Sequence, residues 1–150
     1  MKLAEKIEKD YIAAYKAKDA VRVTVLRLLK TAVKNRLVAL CRPGGALSDE
    51  ELLDVLIKEA KQRQDSIEQY SAAGRTDLAD RERAELLVLG DYLPKALSSE
   101  EVAESVDAAI KELGACSPKD TGKVISAVMS LHRGRVDGKT LAEIVKARLA

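Results

Sequence analysis

The sequence predicts an all-α protein made of a helical N-terminal domain with about four helices, one of them long, and a small three-helix C-terminal lobe. Apolar residues make up 47% of the 150 residues but aromatic residues only 3%, with no Phe or Trp. The core must therefore consist of Leu, Val, Ile and Ala, which suits helix-on-helix packing. Apolar residues recur at helical spacing along most of the chain, and capping and turn signals divide these stretches into segments of helical length.

The first two predicted helices follow each other closely. The first is a short amphipathic helix that begins near Leu3 and is expected to end near Lys18. Asp19 is suited to cap a second helix that runs to Leu40. The alternation of valines over residues 21–25 would also suit a strand, but the helical period persists beyond it, so we predict a helix.

The third predicted helix is long and mostly polar. Pro43, with the two glycines after it, is expected to end the second helix. Ser48 and Glu51 form a capping box, in which each side chain bonds to the other residue's backbone N–H, and the helix it opens runs to Tyr70. Because residues 58–66 are almost wholly polar, we expect this helix to pack against a single neighbour and to expose most of its surface.

A proline marks the predicted domain boundary. Gly74 is expected to end the long helix, and a fourth helix with its apolar residues concentrated at 86–89 begins shortly after it. Pro94 disfavours helix at the residue before it, so the chain changes direction there. We predict an N-terminal domain over residues 1–95 and a lobe over residues 96–150.

The lobe contains three short predicted helices. A capping box of Ser98 and Glu101 begins the first, and Gly114 is placed to end it. Ser117, with the proline after it, suits the start of the second helix. A loop over residues 133–138 leads into the last helix. About fifty residues is near the lower limit for a domain that folds alone.

The net charge of +2 hides a segregation of charge along the chain. Residues 1–47 carry a net charge of +7, residues 48–113 carry −9 and residues 114–150 carry +4. The small total argues against a strongly basic nucleic-acid binder. The segregation suits solvated helix faces, which keep a protein in solution.

The sequence offers no recognisable catalytic or metal site. His132 is the only histidine, and Cys41 and Cys116 lie far apart without C-x-x-C spacing. We therefore expect no metal site, no disulfide, no thiol catalysis and no cofactor. No stretch is long and apolar enough for a membrane span or a signal peptide, so we expect a cytoplasmic protein with reduced thiols and no membrane partner.

A glycine inside the second lobe helix requires an explanation, because glycine costs about 1 kcal/mol relative to alanine there. The tripeptide Thr121-Gly122-Lys123 resembles the end of a phosphate-binding loop. Ser117 and Val124 stand where that motif needs Gly and Ser or Thr, which excludes it. We favour a close helix crossing along a small-residue face shared with Ser126, and the alternative is a phosphate that approaches the backbone.

The part of the lobe that follows Gly114 carries seven basic residues with no aromatic residue among them. Without stacking side chains, base-specific recognition of single-stranded RNA is not expected, whereas contact with the phosphates of a folded RNA is. Such binding would weaken steeply with salt. The seven residues are Lys119, Lys123, Arg133, Arg135, Lys139, Lys146 and Arg148.

Several motifs, in their order and spacing, resemble the YqeY family over essentially the whole chain. They are Lys61-Gln62-Arg63-Gln64-Asp65-Ser66-Ile67 with Tyr70, then Tyr92-Leu93-Pro94, then Gly122-Lys123-Val124 with Met129, Gly134, Asp137 and Gly138. YqeY proteins are similar to the C-terminal part of GatB, the tRNA-binding subunit of an amidotransferase. The resemblance implies a three-helix tail that associates with tRNA, an amidotransferase or an aminoacyl-tRNA synthetase as protein partner, and no DNA.

The same resemblance implies where RNA would bind. Beside the seven basic residues, the family motif adds Gly122, Gly134 and Gly138. Ser130 stands where the family has Pro, and Arg135-Val136 replaces Lys-Ala, so the positive charge is kept while the loop changes. The catalytic part of the amidotransferase has no counterpart in 150 residues, so a carbon–nitrogen ligase activity with glutamine as amido-N-donor belongs to the relative.

We therefore predict a non-catalytic, tRNA-associated adaptor. The alternative is a protein-interaction module that makes no RNA contact and docks a partner through its acidic middle segment.

Overall fold

A computed structural model describes residues 2–150, and all regular structure within them is helical, which confirms the predicted fold class. The chain divides into two compact units, Met1–Leu93 and Pro94–Ala150. The division into an N-terminal domain over residues 1–95 and a lobe over residues 96–150 stays a prediction. The seven α-helices are α1 (Leu3–Lys16), α2 (Ala20–Ala39), α3 (Asp49–Ala72), α4 (Thr76–Gly90), α5 (Ser99–Leu113), α6 (Thr121–Leu131) and α7 (Gly138–Leu149), and a 3₁₀ turn at Pro118–Asp120 precedes α6.

The start of α2 is as predicted, but its end is not. The Asp19 carboxylate accepts a hydrogen bond of 3.1 Å from the Arg22 N–H, and residues 21–25 are helical. The helix ends at Ala39, before Pro43 can act on it. Cys41 adopts the left-handed conformation, with φ of +57°, and the next N–H, of Arg42, returns to the Leu37 carbonyl at 2.8 Å. A closing turn of this kind usually employs glycine.

Both predicted capping boxes are present. The Ser48 N–H donates to the Glu51 carboxylate at 2.8 Å and the Glu51 N–H to the Ser48 hydroxyl at 3.2 Å, with the same two distances at Ser98 and Glu101. The backbone bond from Ser48 lowers the pKa of Glu51, since it stabilises the ionised carboxylate. Gly114 ends α5 at φ of +64°, where a side chain would be strained.

The start of α6 differs from the prediction. Ser117 makes no capping bond with its side chain, and the three residues after it form the 3₁₀ turn instead of the first turn of an α-helix. The Asp120 carboxylate turns back and accepts the Cys116 N–H at 3.2 Å. The α-helix proper begins only at Thr121.

The N-terminal unit is a four-helix arrangement in which α3 contacts α1, α2 and α4. The expectation that α3 packs against a single neighbour was therefore wrong. The first half of α3 sends apolar side chains into the core, and its polar middle also buries one residue, Arg63. The core of buried side chains comprises Ile7, Val25, Leu26, Leu29, Leu52, Val55, Leu56, Val88, Leu89 and Tyr92.

The C-terminal unit packs α5, α6 and α7 against one another. His132 is the residue directly after α6, and its Nε2 lies 2.9 Å from the Ser105 hydroxyl on α5. The buried core of this unit comprises Val102, Val106, Ala109, Val124, Val128, Leu141, Val145 and Leu149. No helix within residues 2–150 is long and apolar enough to cross a membrane.

Candidate nucleic-acid interface

The basic residues of the lobe do not form one cluster. Lys119 lies in the 3₁₀ turn and Lys123 in the first turn of α6, whereas Arg133 and Arg135 follow the end of that helix. Eleven helical residues span about 16 Å, which separates the two pairs. Lys139 is the second residue of α7, and Lys146 and Arg148 lie in its last turn. The site predicted from sequence is thus spread over both ends of the helices.

Arg135 has an internal structural role. Its side-chain Nε donates to the Lys95 carbonyl at 2.9 Å, and its own carbonyl accepts from the Leu97 N–H at 2.9 Å. Its N–H in turn bonds to the His132 carbonyl at 2.9 Å. These bonds fasten residues 95–97 to the loop between α6 and α7, so a half-buried Arg135 is committed to the fold.

Other predicted contacts are also engaged. Arg148 on α7 forms an ion pair with Asp107 on α5, and Arg133 and Lys139 interact with neighbouring groups. Lys119, Lys123 and Lys146 remain, each exposed and without a hydrogen bond or ion pair from its side chain to any other group of residues 2–150. Among the seven basic residues, these three lysines are therefore the ones that the described fold leaves without a partner.

Gly122 is not explained by helix packing, so the interpretation favoured from sequence was wrong. Gly122 is exposed, and a Cβ added to it would meet nothing within 4 Å. Ser126, its proposed partner on a small-residue face, is exposed as well. A close helix crossing therefore does not account for this glycine, which lies between the exposed Lys119 and Lys123.

The glycines near α7 have a different setting. Gly134 adopts φ of +75°, which favours glycine on conformational grounds alone. Gly138 begins α7, and the Asp137 carboxylate caps that helix by accepting the Thr140 N–H at 3.2 Å and the Thr140 hydroxyl at 3.0 Å. The Asp137 carboxylate thus already binds the donors of Thr140 at this helix start, so they are not available to a phosphate.

We searched the part of the chain that the structure describes for metal-binding clusters and for thiols. No group of three or more His, Cys, Asp or Glu residues there is placed to hold a metal ion. Cys41 and Cys116 are free thiols at exposed positions.

Sequence reasoning missed a buried charged cluster in the N-terminal unit. Arg63 on α3 is 7% exposed, and its Nη1 donates to the Glu59 carboxylate at 3.0 Å and carbonyl at 3.2 Å. Its Nε lies 3.5 Å from the Glu85 carboxylate on α4, an ion pair without a hydrogen bond. The available signal was the register of α3, because Arg63 follows Leu56 by seven residues and precedes Ile67 by four, which places it on the buried stripe.

This cluster lies beside a groove of about 380 Å³ between α2 and the pair α3 and α4. The α2 side presents Leu28, Thr31, Ala32 and Asn35, all uncharged. The opposite side presents Gln62 and Ser66 together with the charged residues Glu59, Arg63, Glu82 and Glu85.

Comparison with known proteins identifies the family of this chain. The family model described as Yqey-like protein matches residues 4–149. The chain belongs to the YqeY family. The match covers both units, so the resemblance of the separate motifs extends to the whole chain.

Three curated proteins with sequences similar to this chain each carry the name altered inheritance of mitochondria protein 41, mitochondrial. The protein of Lachancea thermotolerans is 29% identical over 95% of this chain and 76% of its own length. The protein of Candida glabrata is 28% identical over 75% of this chain and 62% of its own length. The protein of Saccharomyces cerevisiae is 29% identical over 83% of this chain and 65% of its own length. The chain therefore spans less than two thirds of the length of the last two relatives.

Proposed function

We propose that this YqeY protein is a non-catalytic, tRNA-associated adaptor whose lobe contacts RNA phosphates through Lys119, Gly122 and Lys123. The observation that supports the proposal is the exposed glycine between the two lysines. Without a Cβ, a phosphate oxygen can approach the backbone of the first turn of α6, where the helix dipole favours a negative charge. The two ammonium groups, four residues apart, supply the counter-charge.

Lys146 extends the proposed contact, whereas Arg135 and Arg148 have internal partners and are not assigned to it. A contact made by a few lysines through phosphates is modest in affinity and insensitive to base sequence. We propose an amidotransferase or an aminoacyl-tRNA synthetase as the protein partner, with no reaction carried out by this chain. We propose a cytoplasmic location, although the names of the three relatives place those proteins in mitochondria.

The test is a titration of the full chain against total tRNA at 50 and 200 mM salt. A triple variant with Lys119, Lys123 and Lys146 replaced by Ala is compared with the wild type. If each lysine neutralises one phosphate, the wild type loses roughly 20- to 40-fold more affinity than the variant across this fourfold change in salt. The matched control replaces Lys9, Lys58 and Lys61, three exposed lysines of the N-terminal unit, and is expected to bind like the wild type.

Equal salt dependence of the triple variant and the wild type would contradict the assignment of these lysines. Negligible binding by both proteins would contradict tRNA association as a whole. The alternative would then apply, a protein-interaction module that makes no RNA contact and docks a partner through its acidic middle segment.

A further inference from the structure

The groove between α2 and the pair α3 and α4 is lined by a buried carboxylate whose ion pairs are too long for hydrogen bonds. Glu85 lies 3.5 Å from the Arg63 Nε and 3.9 Å from the Arg81 Nε, and neither contact is a hydrogen bond. The Arg63 Nε is itself buried and has no acceptor within residues 2–150. Buried charged groups with unmet hydrogen bonds cost free energy, which a donor that enters the groove would recover at Glu85.

A second carboxylate at the groove has no counter-charge. Glu82 is half-buried on α4, three residues before Glu85 and therefore on the same face of that helix. Its side chain forms no hydrogen bond or ion pair with any group within residues 2–150. Glu59, by contrast, accepts a hydrogen bond of 3.0 Å from the Arg63 Nη1. The charged residues that line the groove are three Glu and one Arg, a net charge of −2.

The uncharged groups of the groove suit one residue of a polypeptide. Leu28 and Ala32 on α2 offer apolar surface to an aliphatic side-chain stem. Asn35 and Gln62 lie on opposite walls, and each carboxamide has a donor and an acceptor that can pair with a peptide backbone. A volume of about 380 Å³ gives room for a long side chain with its own backbone, but not for a helix, which is about 10 Å across.

We infer that the groove binds an arginine side chain from an extended segment of a partner protein. The stem of this arginine lies along Leu28 and Ala32, and its guanidinium donates to the carboxylates of Glu82 and Glu85. A guanidinium suits the site better than an ammonium, because it has five donors in a fixed plane and is more weakly hydrated. A polyamine suits it less well, because it has no acceptor for the carboxamides of the two walls.

This site lies in the N-terminal unit and takes a ligand of opposite charge to the one proposed for the lobe. Its carboxylates repel phosphate, so it does not bind RNA. The site also gives the acidic middle segment, residues 48–113, a partner of opposite charge. Because the two sites differ in ligand and in location, a failure of this inference leaves the RNA contact of the lobe untouched, and the reverse holds as well.

The test is an NMR titration of the ¹⁵N-labelled full chain, free of nucleic acid, with N-acetyl-arginine N-methylamide. This probe carries one guanidinium and a peptide bond on each side of its α-carbon. Saturable shifts are expected at the backbone amides of Thr31, Asn35, Gln62 and Ser66, with a dissociation constant on the order of a millimolar. The citrulline analogue has nearly the same shape but no charge, and is expected to bind about tenfold more weakly. The lysine analogue is also expected to bind more weakly than the arginine probe.

Two substitutions test the two walls of the groove. Glu82→Gln removes the unpaired charge and is expected to weaken binding about fivefold. Leu28→Lys brings a competing cation from the opposite wall and is expected to abolish binding. The matched control is Asp65→Asn, which neutralises an exposed carboxylate of α3 outside the groove and is expected to bind like the wild type. The spectrum of each variant shows whether it is folded.

A wild-type chain that shows no saturable shifts at millimolar probe concentration overturns the inference. So does a citrulline or lysine analogue that binds as tightly as the arginine probe, because the site would then not select a guanidinium. Binding that Glu82→Gln and Leu28→Lys both leave unchanged, or shifts confined to the lobe, would place the ligand outside the groove and overturn the inference as well.

Discussion

Replacing Arg63 by methionine is expected to destabilise the protein more than any other change to an ion pair described above. The substitution keeps a long, unbranched side chain of similar volume but removes the charge between Glu59 and Glu85. Those two carboxylates are 17% and 12% exposed, so little water is available to replace the guanidinium. The nearest other cation, Arg81, lies 3.9 Å from Glu85 with a side chain that is 72% exposed, and is a weak substitute.

Removal of one partner from a buried ion pair typically costs about 3–5 kcal/mol, because an uncompensated charge stays buried. Arg63 has two such partners and also donates to the Glu59 carbonyl, so we expect the loss to fall within that range. The triple variant E59L/R63M/E85L is expected to recover a large part of the loss, since a buried ion-pair triad replaced as a whole by apolar groups is often neutral.

The measurement is urea unfolding followed by circular dichroism, with Arg83→Met as control. Arg83 lies 2.7 Å from Asp80, closer than Arg63 lies to either of its partners, yet the two side chains are 49% and 64% exposed. An exposed pair contributes less than about 1 kcal/mol, so the control should be nearly neutral. Equal losses for Arg63→Met and Arg83→Met would refute the argument from burial.

Three further predictions concern other contacts. Gly122→Ala is expected to stabilise α6 by about 0.5–1 kcal/mol in thermal unfolding, because the new Cβ contacts no other group. The same substitution is expected to weaken tRNA binding. Binding equal to that of the wild type would contradict the proposal that a phosphate approaches the backbone at Gly122. Tyr92→Phe removes the 2.6 Å bond to Asp10. Burial, and to a lesser extent that bond, raises the pKa of the Tyr92 phenol in the folded protein. The unfolded phenol ionises at a pH of about 10, so the stability of the wild type should fall as the pH rises above that value. The stability of the variant should fall less over the same range. Ser98→Ala removes one half of a capping box and should cost about 1 kcal/mol in urea unfolding, against no loss for Ser99→Ala.

Local chemistry made the starts of α2, α3 and α5 predictable from sequence. A capping box such as that of Ser48 and Glu51 depends on residues three apart, and so does the bond from Arg22 to Asp19, so no tertiary contact was needed to recognise them. The end of α2 was harder to predict. Its closing turn centres on Cys41, a residue with no intrinsic preference for positive φ, while the obvious breaker at Pro43 comes too late.

The candidate site was predictable only as a list of charges. Whether a basic side chain meets solvent or a backbone carbonyl depends on which segments fold beside it, and Arg135 meets Lys95 across forty residues of sequence. The buried position of Arg63 followed from helical register, but its partner Glu85 comes from a different helix. The prediction of close helix packing at Gly122 was wrong for a related reason. A sequence alone does not show whether a glycine faces another helix or open space.

The bonds of Arg135 determine where a tail fragment can begin. A fragment that starts at Ser98 keeps all three helices of the lobe but loses the Leu97 N–H and the Lys95 carbonyl that Arg135 binds. The loop before α7 would then lack two of the hydrogen bonds that hold it. The side chain of Arg135 would also lose its carbonyl partner and could contact a phosphate that it does not contact in the full chain. RNA-binding experiments on an excised tail should therefore retain the chain from Pro94 onward, so that Arg135 keeps the two partners that it has in the full chain.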